Sequence, residues 1–227
     1  MTLKHMPIAV AIASTLLVAG CASNNPPQLA GGTVPNEAGM QEDQLAGRTA
    51  MVWRAANLNP RAYTRFIVSP VQIYQGADAK WGDSTVQDRQ EMAQYLQAQF
   101  IRVLQQRNQL AYTPGPGVAR INLILAGLAD NIPVAATVSR LAPAGLVINA
   151  AKSVGGQPGS FTGSVTVAGS IVDSQSNATL ISFIQKRSPD ALNIGATLSS
   201  RDAWEGAISQ AADAFKKRLE EIQTKGA

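Results

Sequence analysis

Apolar positions recur along this chain at two spacings, every second residue in some segments and every third or fourth in others. The run from Tyr63 to Tyr74 (YTRFIVSPVQIY) is rich in β-branched and aromatic residues, with Phe66, Val68 and Val71 as its apolar points. It predicts a strand, and Pro70 marks an edge, a bulge or an end because proline donates no ladder hydrogen bond. A loop from Gln75 to Asp83 follows, and Ser84 to Gln87 reads as a capping box. Met92, Leu96, Phe100 and Leu104 then return every four residues, with Ala93 and Val103 beside them. That stripe predicts an amphipathic helix of about twenty residues.

Thr113-Pro114-Gly115-Pro116-Gly117 breaks the chain. Val118 to Leu128 alternates, with Ile121, Leu123 and Leu125 on one face, and predicts a strand. Ile132 to Val154 is apolar and alanine-rich, punctuated by Pro133 and Pro143, with a short helix expected at Ala144 to Lys152. Ser160 to Ser174 puts Phe161, Val165, Val167 and Ile171 on one side. Asp173 to Asn177 makes a turn, and Leu180 to Lys186 returns to complete a hairpin. Ser199 opens the last helix, with Asp202 in its first turn and Trp204, Ile208, Ala211, Phe215, Leu219 and Ile222 as its buried stripe. The order β-α-β-(α)-β-β-α predicts an α+β, two-layer sandwich: a mixed sheet of about four strands with two long amphipathic helices on one face. The sheet is expected to be mixed because the first helix can act as a crossover while the later hairpin is antiparallel.

The leading end carries a different signal. Lys4 and His5 precede the apolar stretch Ile8 to Ala19, and Leu16-Leu17-Val18-Ala19-Gly20-Cys21 ends on the only cysteine. The stretch falls short of the ~20 residues that span a bilayer and fits a secretory signal over residues 1–20. Small residues before a single thiol mark a lipoprotein cleavage site between Gly20 and Cys21. The Cys21 thiol then accepts a diacylglycerol and the new amine is acylated. Each buried CH₂ adds ~0.8 kcal/mol, so two or three chains give a stable anchor. Ala22 follows Cys21. With no Asp there to retain the protein at the inner membrane, the expected address is the periplasmic leaflet of the outer membrane. Residues 21–48 are rich in Asn, Pro, Gly and Gln without an apolar period and read as a flexible tether, with an r.m.s. span of roughly 30 Å. Residues 49–227 form a single domain on this reading.

Removing residues 1–20 leaves 207 of 227 residues, and the formal charge falls from +4 to +3 with the loss of Lys4. It also removes His5, the only histidine. No imidazole remains for Ser-His-Asp or Cys-His catalysis. Zinc sites built from His and Cys are excluded, as is a disulfide within the chain. None of the seven lysines has a serine three residues before it, and the glycine-rich phosphate and dinucleotide motifs are absent. Carboxylate chemistry and calcium remain. Asp78, Asp83 and Asp88 recur across a glycine-containing loop, but their spacing does not match a calcium loop, and Asp83 and Asp88 suit a helix start. No metal or cofactor is expected. The cluster Lys216-Lys217-Arg218 is placed near a helix C-terminus, where cations suit the dipole, and no basic stripe interleaved with aromatics points to nucleic acid.

Several runs, in their order and spacing, resemble a family of Gram-negative lipoproteins known only as a domain of unknown function. They are Tyr63-Thr64-Arg65-Phe66-Ile67-Val68-Ser69-Pro70-Val71 and Pro114-Gly115-Pro116-Gly117-Val118, then Leu141-Ala142-Pro143-Ala144-Gly145-Leu146 with Ala150-Ala151-Lys152. Gly163-Ser164-Val165 through Val172-Asp173-Ser174 completes the set, and the similarity covers about residues 50–223. The resemblance implies no established reaction and no catalytic residues. Its members usually carry glycine where this chain has Asn177, a mild departure because Asn tolerates the left-handed region.

The expectation is therefore a non-enzymatic outer-membrane lipoprotein that presents its domain to another cell-envelope component, a protein partner above all. The alternative is a carboxylate-dependent cell-wall hydrolase. A partner surface is sought first in the apolar segment 132–154, at Leu141, Leu146 and Val147, and at Trp81 in the first loop. Trp53 and Trp204 are expected in the core.

Overall fold

The computed structural model describes residues 27, 29–45, 48–130, 163–189 and 199–224. Among the described residues seven strands form one sheet: β1 (Gln41–Leu45), β2 (Arg48–Arg54), β3 (Arg65–Val68), β4 (Gln72–Ile73), β5 (Val118–Ala129), β6 (Ser164–Asp173) and β7 (Thr179–Arg187). Two long helices accompany it, α1 (Val86–Gln106) and α2 (Ser200–Thr224). The strand order is β1-β2-β7-β6-β5-β3, with β4 also paired to β5. β3 and β4 run parallel to β5 and all other pairs are antiparallel. The α+β class and the mixed sheet hold, but the sheet has seven strands where about four were expected.

Each difference has a local cause. Ser69, Pro70 and Val71 interrupt the expected Tyr63–Tyr74 strand, and β3 and β4 resume the pairing on either side. Because proline cannot donate, it is confined to the sheet's outer edge. β1 lies inside the segment read as a tether. Its side chains are exposed and polar, except for the half-buried Leu45, so no apolar period betrays it. It is an edge strand held by backbone pairing to β2 and by the carboxamide of Gln185, which donates to the Leu45 carbonyl at 2.7 Å. The folded part thus begins before residue 49.

α1 starts one residue later than the sequence implied. The Thr85 hydroxyl accepts from the Asp88 N–H at 3.1 Å, and the Asp88 carboxylate accepts from the Thr85 N–H at 2.8 Å, so the capping box is Thr85 with Asp88. Ser84 donates instead to the Trp81 carbonyl. α2 opens as expected: the Ser199 hydroxyl accepts from the Asp202 N–H at 3.1 Å.

The main core lies between the helices and one sheet face. Met92, Leu96, Val103 and Leu104 from α1 and Trp204, Ala207 and Ile208 from α2 meet Ile121, Leu123, Leu125 and Val165 from the sheet. Phe215 stacks on Phe100 at 5.2 Å and meets Phe66 edge-on at 6.1 Å. The helices are tied to each other by the Tyr95 and Ser209 hydroxyls at 2.8 Å and by Arg107, which reaches Glu220 at 3.0 Å and Gln223 at 2.6 Å.

The opposite sheet face is also covered. Met51, Ile184, Ala168 and Ile124 stand side by side across four strands, and Leu29, Val34 and Met40 close over that area. Three apolar residues scattered over the supposed tether thus form part of a second small core. The expected short helix at 144–152 lies outside the described residues.

Candidate functional site

β6 and β7 carry their apolar alternation towards the helices, but the helices do not cover them evenly. α1 packs over β3, β4 and β5, and α2 makes its sheet contacts on β6 and β7. A groove of about 500 Å³ opens along α2 over β6, β7 and Arg54 of β2, and reaches inward to Leu96 and Phe100 of α1 and to Ile121 and Leu123 of β5. Val167, Ile171, Ile181 and Phe183 line its floor and are only half-buried. Its helix wall carries Ala207, Ala211 and Ala214. Those positions follow an i, i+4, i+7 spacing that keeps them on one helix face, and their short side chains leave the space that longer ones would fill.

Glycine shapes the floor as well. Gly169 pairs with Leu123 on one side and Phe183 on the other. A Cβ there would stand 2.5 Å from the Asn122 carbonyl oxygen and 3.0 Å from the Phe183 ring. The absence of a side chain lets the Phe183 ring lie across β6 and form the groove's aromatic surface.

Charge gathers at one end. Arg54 pairs in register with Ile181, where β7 begins, and Lys217 and Arg218 come from the C-terminal half of α2. Arg54 is ion-paired with Asp43, and Arg218 with Glu221 at 3.0 Å. Lys217 is exposed. The last turn of α2 contains no basic residue. Lys216, Lys217 and Arg218 therefore lie too early in the helix to serve its dipole, which acts within the last turn; Lys217 and Arg218 belong to the groove's rim. Arg187 lines the other end and donates to the Gln210 carbonyl at 3.1 Å.

The residues singled out from the sequence go elsewhere. Trp81 is half-buried against the main core, with the Arg89 guanidinium 4.9 Å above its ring. Trp204 is buried and donates its indole N–H to the Ala129 carbonyl at 2.8 Å, while Trp53 is half-buried in the second core. Asp78 accepts from the Tyr74 hydroxyl at 2.6 Å and the Ala30 N–H at 2.7 Å, Asp88 caps α1, and Asp83 stays on the exposed loop. Among the described residues no three His, Cys, Asp or Glu side chains gather as metal ligands. Gly20, Cys21, Leu141, Leu146 and Val147 lie outside the described residues.

Among the described residues, the carboxylates with displaced pKa values all move downward. Asp43 is lowered by the Gln44 N–H and then by Arg54, Asp78 by the Tyr74 hydroxyl, and Asp88 by the Thr85 hydroxyl. Glu91 is lowered by the Gln87 amide and then Arg201, and Asp173 by the Ser176 N–H. The one acid in the groove lining, Glu221, is ion-paired with Arg218. Among the described residues no helix is long and apolar enough to cross a membrane.

Sequence reasoning missed the groove. Alternation showed that β6 and β7 bury one face, but which helix covers which strand depends on strand order, and β2 was not recognised as a strand at all.

Two solved structures of PelC dodecamers from Paraburkholderia phytofirmans are similar to this chain at low identity. One, a variant, shows 8% identity and a TM-score of 0.35 over 71% of this chain and 96% of its own. The other shows 11% identity and a TM-score of 0.28 over 70% and 96%. No curated protein matches. A family model described as "Protein of unknown function (DUF3313)" matches residues 33–215, beginning within the segment that packs over the second core. The chain belongs to that family.

Proposed function

We propose that this protein is a non-enzymatic, lipid-anchored lipoprotein of the outer membrane, and that it binds another cell-envelope component through the groove beside α2. The observation that carries the reading is the half-buried apolar floor of Val167, Ile171, Ile181 and Phe183, next to a helix wall of alanines. A concave surface of about 500 Å³ with an apolar floor and a few charges at its ends has the build of a ligand site. The anchor rests on the run Leu16 to Cys21. The runner-up hydrolase would need one carboxyl held neutral near pH 7 as general acid. Among the described residues the groove lining offers a single acid, Glu221, ion-paired with Arg218, where such a hydrolase needs two facing carboxyls, which favours binding.

The test is photo-crosslinking in living cells from a reactive residue at Ala214, with Ala98 on the exposed side of α1 as control. A saturable envelope adduct from Ala214 and none from Ala98 is expected. Equal labelling at both sites, or purified protein that degrades peptidoglycan, would overturn the reading. Separately, Cys21→Ala is expected to release the protein from membranes; unchanged fractionation would refute the anchor.

A further inference from the structure

The groove's size and charge narrow what it can hold. We infer that its occupant is a single-chain anionic lipid, a long-chain fatty carboxylate, with the chain along Val167, Phe183, Ile171 and Ile181 and the carboxylate at Lys217, Arg218 and Arg54. This inference deepens the envelope-binding reading and rests on it.

Volume comes first. At about 30 Å³ for a water-sized group, roughly the size of a methylene, a cavity of about 500 Å³ takes roughly sixteen such groups. That is one long acyl chain and not two. A peptide helix fits poorly: with a diameter of about 10–12 Å it would fill the same space with only about one turn. Length agrees. From Val165 to Ile171 the apolar β6 floor rises about 20 Å at about 3.3 Å per residue, close to an extended chain of that size.

Both ends carry cations, but Arg187 at the far end is buried and donates to the Gln210 carbonyl, which leaves the near rim to meet a carboxylate. Lys217, Arg218 and Arg54 stand at the end where β7 begins, against the single lining acid Glu221 and the neighbouring Asp43. The two acids do not balance the three cations, so that rim keeps a positive excess for a carboxylate. Apart from Gln185, whose amide is taken by the Leu45 and Arg48 carbonyls, the floor between the two ends is hydrocarbon and aromatic surface, which attracts an acyl chain by burial alone.

The experiment uses the full chain, kept unacylated by Cys21→Ser. Palmitate is titrated against a bound fluorescent fatty acid, and native mass spectrometry reports stoichiometry. One palmitate per protein is expected. Methyl palmitate, which lacks the charge, should bind several-fold more weakly, and so should lysophosphatidylethanolamine, whose head is zwitterionic. Lys217→Glu combined with Arg218→Glu should weaken palmitate by roughly three- to tenfold, the size of two exposed charge contacts. Ala211→Trp fills the groove and should weaken it at least ~tenfold, as the loss of two buried methylenes would. If Ala211→Trp does not fold, the charge-reversed variant and the methyl ester decide, since neither touches the core.

Absence of palmitate binding would overturn the inference, as would equal binding of acid and ester together with indifference to charge reversal. No palmitate binding together with a saturable protein adduct at Ala214 would sink the lipid and leave the envelope-binding reading in place. No binding and no adduct would sink both. The lipid is equally ruled out if the groove proves to be filled by a second copy or by the chain's own residues 131–162.

Discussion

Gly169→Ala is the substitution whose cost the structure defines most sharply. The added Cβ would meet the Asn122 carbonyl oxygen at 2.5 Å, about 0.8 Å inside the ~3.3 Å of a close carbon–oxygen contact. That oxygen is backbone, so no rotamer change relieves the clash. The same Cβ would press on the Phe183 ring at 3.0 Å. Either β5 and β6 part, weakening ladder bonds of about 1 kcal/mol each, or Phe183 swings out of the groove floor. Overpacking by one carbon costs about 1–3 kcal/mol alone, so a total loss of about 2–4 kcal/mol is expected. In a protein of this size that lowers Tm by roughly 5–15 °C. Urea unfolding followed by tryptophan fluorescence measures it. Gly115→Ala is the control, because its Cβ would find nothing nearer than 3.8 Å; it should stay within about 0.5 kcal/mol of the parent. A Gly169→Ala protein as stable as the control would refute the packing described for the groove floor.

Three further outcomes are expected. Ser182 is fully buried on the second sheet face and its hydroxyl has no hydrogen-bond partner among the described residues, so Ser182→Ala should raise stability by about 1 kcal/mol in the same titration; a loss of that size would mean the hydroxyl is satisfied. Asn177 closes the β6–β7 turn at φ 57°, so Asn177→Ala should cost about 1 kcal/mol by calorimetry while Asn177→Gly changes stability little. Asp173 accepts from the Ser176 N–H, its hydroxyl and the Gln175 N–H, and these hold its pKa below 3.8. A depressed carboxyl stabilises the fold above its unfolded pKa, and that contribution disappears as pH falls through the folded value. Asp173→Asn should therefore flatten the acid limb of the stability curve below pH 3.8; an unchanged limb would remove Asp173 from acid unfolding.

Much of the fold was legible where burial is one-sided and periodic. Met92 to Leu104 repeats every four residues and forms α1, Val118 to Leu128 alternates and forms β5, and the turn at Asp173 to Asn177 joins β6 to β7. What was hidden has little apolar signal of its own. β1 is an edge strand whose sequence QEDQL reads as linker, and Leu29, Val34 and Met40 pack on the second sheet face without any regular spacing. The groove was invisible for a different reason. Ala207, Ala211 and Ala214 look like ordinary core positions of an amphipathic helix, and only the strand order shows that they face half-covered strands. Trp81 looked like an exposed anchor, but its neighbour Arg89, placed by the first turns of α1, covers it.

The most direct measurement is a methyl NMR titration of the full Cys21→Ser chain with palmitate. If the groove beside α2 is the binding surface, the methyls of Val167, Ile171 and Ile181 shift and saturate together, while those of Val103 in the main core and Ile184 in the second stay in place. Shifts confined to other residues, or no shifts at all, would contradict it.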